Sequence, residues 1–391
     1  MNGRFGLVTL LLAGAAGLVA ANLYYNQPLL NLIASGKGLD PASVAWITIG
    51  TQLGYGSGML FLVPLGDQMD RKRLMIWTIL CSAVALAVFP FAPNVPGFLL
   101  ISFLIGLFSA TPQLAVPYAA GMVPAGKRGG VVGLVMSGLL VGILLSRSFS
   151  GLLAAHSSWQ TVFWIAAILM LALALLLATV LPPEKSGHQS SYVQLLFSLP
   201  GLLVKEPVLR RQSFLGALGF ACFSVFWTTL TFYLSSLPAH YGSDVIGGFG
   251  ILAVTGALVA PVAGRFAQKY RPGVINALFL GCVMVAFIIM WFSDHHPLLL
   301  IGVGVLILDA GIQGNQITNQ TRIYSLRSDL HSRLNSVYMV IYFIGGALGS
   351  FVGSLVWRDF GWHAVCLLGA VLAGIGVAFS LLVVRRNSQP I

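Results

Sequence analysis

The sequence predicts an all-α membrane protein of twelve transmembrane helices arranged as two pseudo-symmetric six-helix bundles. Hydrophobic residues make up 57% of the 391 and charged residues only 8%, with a mean hydropathy of +0.90; a soluble globular domain carries about 25% charged residues. A spanning helix needs about 20 apolar residues, and twelve such runs follow one another with short connections, the longest lying between the sixth and the seventh. The two halves also match in register. Gln113 pairs with Gln313, Gly142 with Gly345 and Trp159 with Trp362, at separations of 200, 203 and 203 residues, a near-constant spacing that argues for a duplicated unit. The expected division is residues 1–182 for the first bundle, 183–211 for a cytoplasmic linker and 212–391 for the second bundle.

The net charge of +11 raises the question of nucleic-acid binding, and the placement of the basic residues answers it. Of the 21 Lys and Arg, eighteen fall in connections on the side of the amino terminus; Lys37 and Arg358 face the other way, and Arg147 lies inside a span. That asymmetry is the positive-inside pattern with both termini cytoplasmic, so no nucleic-acid partner is needed to explain the charge. Cys81, Cys222, Cys282 and Cys366 are each isolated in an apolar run and read as packing residues. All seven histidines fall in or beside loops, and no metal site or cofactor is expected. Arg4 followed by an apolar run and Ala20-Ala21 resembles a secretory signal, but cleavage there would break the six-plus-six symmetry, so the run is read as span 1.

Span 1 runs from about Phe5 to Ile33 and holds Asn22-Leu23-Tyr24-Tyr25-Asn26-Gln27-Pro28. Asn22, Tyr25 and Asn26 stand at i, i+3 and i+4 on one helical face. Lipid satisfies no amide, so that face looks into protein or water; an interfacial tyrosine belt is the other reading of Tyr24. Span 2 brings Gln52 and Gly54-x-Gly56-x-Gly58, a surface for close helix approach. A charged turn, Pro64 to Arg73, leads into span 3. Span 4, from about Gly97, carries Thr111, Pro112, Gln113, Pro117 and Tyr118. Span 5 combines a small-residue face (Gly133, Gly138, Gly142, Gly151) with Arg147, placed about eight residues, or roughly 12 Å, from its outer end. An intramembrane Arg is costly and faces a cavity or a partner. After Pro182-Pro183 the chain turns mixed and polar, with an amphipathic piece near Tyr192 to Leu203 that suits a linker on the membrane surface. Span 7 offers Trp227, Thr228, Thr229, Thr231 and Tyr233. Span 10 is the most polar: Asp309, Gln313, Gln316 and Gln320 form one stripe, with Asn315 and Asn319 beside it. Spans 11 and 12 bring Tyr338, Tyr342, the Gly345-Gly346 and Gly349 face, and Arg385-Arg386.

The turn between spans 2 and 3 recurs in degraded form at Pro261–Arg271. Leu65, Asp67, Arg71, Lys72 and Arg73 resemble the G-x-L-a-D-r-x-G-R-k-r signature of the major facilitator superfamily, while Val63, Gln68 and Asp70 depart from it. The resemblance implies the major facilitator fold, alternating access around a central cavity, and a gating latch formed by Asp67, Arg71, Lys72 and Arg73; for Lys72 and Arg73 the other reading is topology alone. Ser102 stands where family members commonly place an Arg associated with proton coupling in antiporters. The span 5 glycines partly resemble the antiporter signature, without its Gly-Pro pair. Among the branches, the chain is similar to bacterial drug and metabolite efflux proteins, including those for sugars such as arabinose. The resemblance further implies proton-coupled export of small organic molecules across the bacterial inner membrane by a monomer, with import or uniport of a sugar, siderophore or other metabolite as the alternative.

Asp309 is the one acidic residue placed deep in a span, where burial of its charge costs about 2.5 to 3.5 kcal/mol on insertion scales. An acid in that position can take a proton on one side and release it on the other, so Asp309 and Arg147 are the candidates for proton coupling; a static pair pinning the two halves is the alternative. The candidate substrate cavity comprises Asn22, Tyr25, Asn26, Gln52, Gln113, Trp227, Tyr233, Gln313, Gln316, Asn319, Tyr338 and Tyr342. A membrane-embedded enzyme would need an intramembrane His, paired carboxylates or a nucleophile with its base, and a channel a selectivity ring; neither pattern is legible, and no catalytic residue is expected.

Overall fold

The computed structural model describes residues 3–66, 68–124, 128–183, 192–252, 270, 272–326 and 331–386. Asp67 and the second basic turn, with Arg265, Lys269 and Arg271, lie outside the described residues. Among the described residues eight helices are long and apolar enough to cross a membrane, one of them fusing two spans. Side chains such as Leu10, Trp77, Val84, Ile168 and Leu175 are exposed along their flanks, as lipid contact allows.

Span 1 is not the single helix its hydropathy suggests. Helix α1 (Gly3–Ala21) stops, residues 22–26 turn, a 3₁₀ turn covers Gln27–Leu29, and α2 (Leu30–Lys37) resumes. Pro28 is the cause, because it has no N–H and its ring crowds the carbonyl four residues earlier. Tighter bonds close the gap, including Tyr24 N–H to Ala21 O at 3.0 Å and Gln27 N–H to Tyr24 O at 3.2 Å. Helices α3 (Pro41–Leu65) and α4 (Arg71–Val88) are spans 2 and 3. Span 4 is broken in the same way: α5 (Val95–Phe108) and α6 (Thr111–Gly121) meet at Ser109–Ala110, where Pro112 removes the bond that would have reached Phe108. Spans 5 and 6 are α7 (Arg128–Ala155) and α8 (Trp159–Val180), and α9 (Tyr192–Lys205) is the linker helix.

Span 7 is α10 (Pro207–Ser236), α11 (Ser243–Leu252) opens span 8, and α12 (Pro272–Trp291) and α13 (Pro297–Tyr324) are spans 9 and 10. Spans 11 and 12 form α14 (His331–Arg386), joined through Gly361 at φ +73°, a left-handed conformation that glycine adopts without steric cost.

The chain packs as two compact units. The first comprises Met1–Leu39, Trp46–Ser198 and Ser243–Gly248; the second comprises Asp40–Ala45, Leu199–Gly242 and Phe249–Ile391. In the first, α1 lies along α7 and α4 along α8. Backbone touches backbone: a Cβ on Gly142 would fall on Gly17, one on Gly138 on the Ala13 carbonyl, and one on Gly54 on the Phe103 carbonyl. The opening of α11 belongs to this unit, with the Ser148 hydroxyl donating to Gly247 O (2.8 Å) and the Ser243 hydroxyl to Gly151 O (3.1 Å). In the second unit α10 lies along α14, with Gly345 and Gly349 set against Ala217 and Ala221.

Candidate functional site

The first unit buries Arg147 completely, one turn beyond the Gly142 contact on α7. The broken part of span 1 meets it. Arg147 Nε donates to Gln27 Oε1 at 2.6 Å, Nη1 donates to Ile143 O at 3.3 Å, and the guanidinium lies over the Tyr24 ring at 4.8 Å. A buried cation needs hydrogen bonds and polarisable neighbours to offset lost hydration, and a charge-assisted bond to Gln27 with a cation–π contact supplies both. Tyr24 and Gln27, three residues apart, both reach the guanidinium from the stretch where span 1 is interrupted. The interrupted stretch of span 1 is therefore part of the Arg147 site.

The other residues singled out in this unit are spread around that cluster. Asn22 is buried and donates to Ser82 Oγ (3.2 Å) on α4, with Met170 Sδ at 3.4 Å on α8. The Asn26 side-chain Oδ1 accepts from the Thr48 hydroxyl at 3.4 Å. Tyr25 stands 6.0 Å from Phe149 and lines, with Leu10, Gly14, Leu18 and Leu145, an apolar groove of about 480 Å³ open on the exposed flank of α1 and α7. Gln52 is buried on α3, and Gln113, half-buried on α6, engages the Tyr55 hydroxyl. Ser102 is fully buried and sits where a Cβ on Gly50 would press on it at 2.9 Å.

In the second unit Asp309 is buried in the unbroken α13. Gln313, Gln316 and Gln320 are half-buried along the same helix, and the Tyr342 hydroxyl donates to Gln316 Oε1 at 3.4 Å. Asn315 and Asn319 turn away from that stripe into a buried amide chain. Asn276 Nδ2 donates to Gln212 Oε1 (3.0 Å) and Asn319 Oδ1 (2.9 Å), Asn319 Nδ2 to Asn315 Oδ1 (3.2 Å), and Asn315 Nδ2 to Leu215 O (3.0 Å). Gly219 and Gly216 make room for Asn315 and Tyr338, whose atoms a Cβ would meet at 2.6 and 2.7 Å. Tyr342 stacks on Phe220 (4.2 Å, 16°), Trp227 is buried edge-on against Phe226, and Tyr233 stacks on Trp362 (4.1 Å, 7°) with its hydroxyl 2.9 Å from Ser293 Oγ.

The turn before α4 uses Asp70, a residue that departs from the signature. Its carboxylate caps the helix, accepting from Lys72 N–H at 2.9 Å, and Arg73 Nε lies 3.9 Å from the other oxygen. Lys72 caps a second helix, donating to Ala178 O (2.8 Å) and Leu181 O (2.5 Å) at the end of α8, next to the Tyr118 hydroxyl on Pro182 O (2.6 Å). A cation on terminal helix carbonyls is favourable by about 0.3–1 kcal/mol. Arg71 is half-buried beside it. Sequence reasoning missed this role of Asp70, and it missed Gln27, Tyr24, Gln212 and Asn276 as site or network residues. Gln27 directly precedes Pro28, a legible signal of a broken helix, whereas Gln212 continues the polar stretch Arg210-Arg211 at the start of span 7 and Asn276 opens the apolar run of span 9, and neither position signals a buried amide network.

Comparison with known proteins agrees with this architecture. The family model of the Major Facilitator Superfamily matches residues 12–349, and the chain belongs to that superfamily. It is 42% identical over 363 residues to the "Uncharacterized transporter YgaY" of Escherichia coli O157:H7, covering 93% of this chain and 92% of the relative. Among solved structures it resembles the nucleoside transporter NupG (TM-score 0.78, 14% identity, 96% of this chain and 99% of that one). It also resembles a D-xylose-proton symporter (TM-score 0.72, 13% identity, 96% and 97%). The protein is a multi-pass membrane transporter and not an enzyme.

Proposed function

We propose that the protein is a proton-coupled secondary transporter that exports small organic molecules, drugs or metabolites, from the cytoplasm across the bacterial inner membrane. Both termini are cytoplasmic in this reading, as the basic connections favour, and the working form is a monomer. The two bundles rock to open a central cavity to one side and then the other, and Asp309 carries the proton while Arg147 answers its charge. The observation that carries the reading is the burial of one cation and one acid at membrane depth, Arg147 in the first unit and Asp309 in the second, since such groups are retained in spans for transport chemistry. Amides and aromatics (Asn22, Tyr25, Asn26, Gln52, Gln113, Trp227, Tyr233, Gln313, Gln316, Tyr338 and Tyr342) contact the substrate, and Asn319 supports them from its buried amide chain. The turn with Asp67, Arg71, Lys72 and Arg73 gates the cytoplasmic side.

The test is uptake of fluorescent drugs, sugars and siderophores into everted vesicles under an imposed pH gradient, with wild type beside Asp309→Asn. Gradient-driven accumulation that the variant loses by about tenfold or more supports the reading. Transport that survives the substitution and ignores the gradient makes the protein a facilitator, the importer or uniporter alternative.

A further inference from the structure

The linker helix α9, within which the division between the two units falls, carries an exposed apolar face. Phe197 is 81% exposed and Val204 75% exposed. Seven residues apart, they lie within about 20° of one another around the helix, with exposed Pro200 between them. Leu199, on another face, is buried.

Each end of α9 has a hydrogen-bonded neighbour within its own unit. At its start the Tyr192 hydroxyl donates to Phe61 O (2.8 Å), one turn from the end of α3. At its end Arg210 Nη1 donates to Val204 O (3.3 Å) and Leu203 O (3.5 Å). A single residue, Glu206, separates α9 from span 7, so the helix lies where that span leaves the bilayer. With 14 residues it is about 21 Å long, too short to cross a membrane. An exposed Phe and Val are nevertheless unsuited to bulk water, and Lys205, Arg210 and Arg211 stand beside them.

We infer that α9 is an interfacial helix that lays Phe197, Pro200 and Val204 into the acyl-headgroup boundary and selects anionic phospholipid headgroups through Lys205 and Arg211. An amphipathic helix with flanking cations binds in this way, each cation near an anionic surface strengthening the attraction. The partner is the lipid surface itself, and the inference is independent of what the transporter carries.

The experiment uses the full chain with Cys81, Cys222, Cys282 and Cys366 replaced by Ala and a spin label at Phe197→Cys or Val204→Cys. The protein is reconstituted in vesicles of phosphatidylcholine alone or of phosphatidylcholine with phosphatidylglycerol. Collision with oxygen, which partitions into lipid, is compared with collision with a water-soluble nickel chelate. The expected result is a high oxygen-to-nickel ratio at both positions that rises by about two-fold or more with phosphatidylglycerol, the rise being lost in Lys205→Glu/Arg211→Glu. Nickel access at both positions places the face in water and overturns the inference. Exclusion of both reagents means that protein covers it, which also overturns it, and lipid depth without a phosphatidylglycerol effect overturns the headgroup selection. Hydrogen exchange of the unsubstituted chain in the same two lipids is the second measurement, with slower exchange across α9 expected in the anionic one.

Discussion

The two units use one helix pairing and fill it with opposite chemistry. In the first, α7 meets α1 through Gly138 and Gly142; in the second, α14 meets α10 through Gly345 and Gly349. Ser350 stands 203 residues beyond Arg147, and its hydroxyl meets Thr228 Oγ1 at 2.9 Å, a neutral contact where the first unit has a guanidinium on Gln27 and Tyr24. Thr228 and Ile312 stand 200 residues beyond Pro28 and Pro112. Without those prolines α10 and α13 run unbroken where spans 1 and 4 break. Asp309 in turn stands 200 beyond Ser109, the residue at the span 4 break, whose hydroxyl bonds back to Ile105 O at 2.7 Å. A duplicated scaffold thus carries its cation on the side with broken helices and its acid on the side with continuous ones.

The shared pairing is the most sensitive part of the comparison. Gly142→Leu and Gly345→Leu each force a side chain into a neighbouring backbone, an overpacking cost of about 3 kcal/mol or more, and both are expected to remove the monodisperse peak in detergent gel filtration. Thr228→Pro carries the break of span 1 into α10 and should cost about 3 kcal/mol, read as a lowered Tm. The reverse change, Pro28→Thr, relieves a helix breaker, so the protein should stay folded while transport falls about tenfold, because rewinding residues 22–29 displaces Tyr24 and Gln27 from their present geometry on Arg147.

Smaller effects sharpen the difference in chemistry. Gln27→Leu removes a hydrogen bond to a buried charge and should cost about 1.5–3 kcal/mol, against about 1 kcal/mol for Ser350→Ala; equal losses of Tm would erase the distinction between the two units. The smallest effect concerns the exposed Arg358–Asp359 pair (2.7 Å), where the guanidinium holds the Asp359 carboxyl below its usual range. A lowered carboxyl contributes stability above its unfolded value and loses it as pH falls through the folded one, below about pH 4. Solvent screening makes that contribution too small to detect, so Asp359→Asn should leave Tm against pH superimposable on wild type.

Membrane residence, span count and duplication were legible because they depend on composition and spacing, which the chain displays residue by residue. Arg147 and Asp309 stood out for the same reason, as charges in runs where lipid tolerates few. The stripe of span 10 was only partly legible. Gln316 turns to Tyr342 while Asn315 and Asn319 close on Asn276 and Gln212, and which amide meets which partner depends on helices distant in sequence.

The chain alone therefore determined an all-helical, duplicated membrane protein with one cation and one acid at depth, since hydrophobicity and charge act locally and are written in order. Tertiary structure decided that Lys72 caps α8 and that Gln27 and Tyr24 receive Arg147. Each of these is a hydrogen bond or close approach between segments about 110 to 120 residues apart, and such contacts depend on packing geometry that no local pattern encodes.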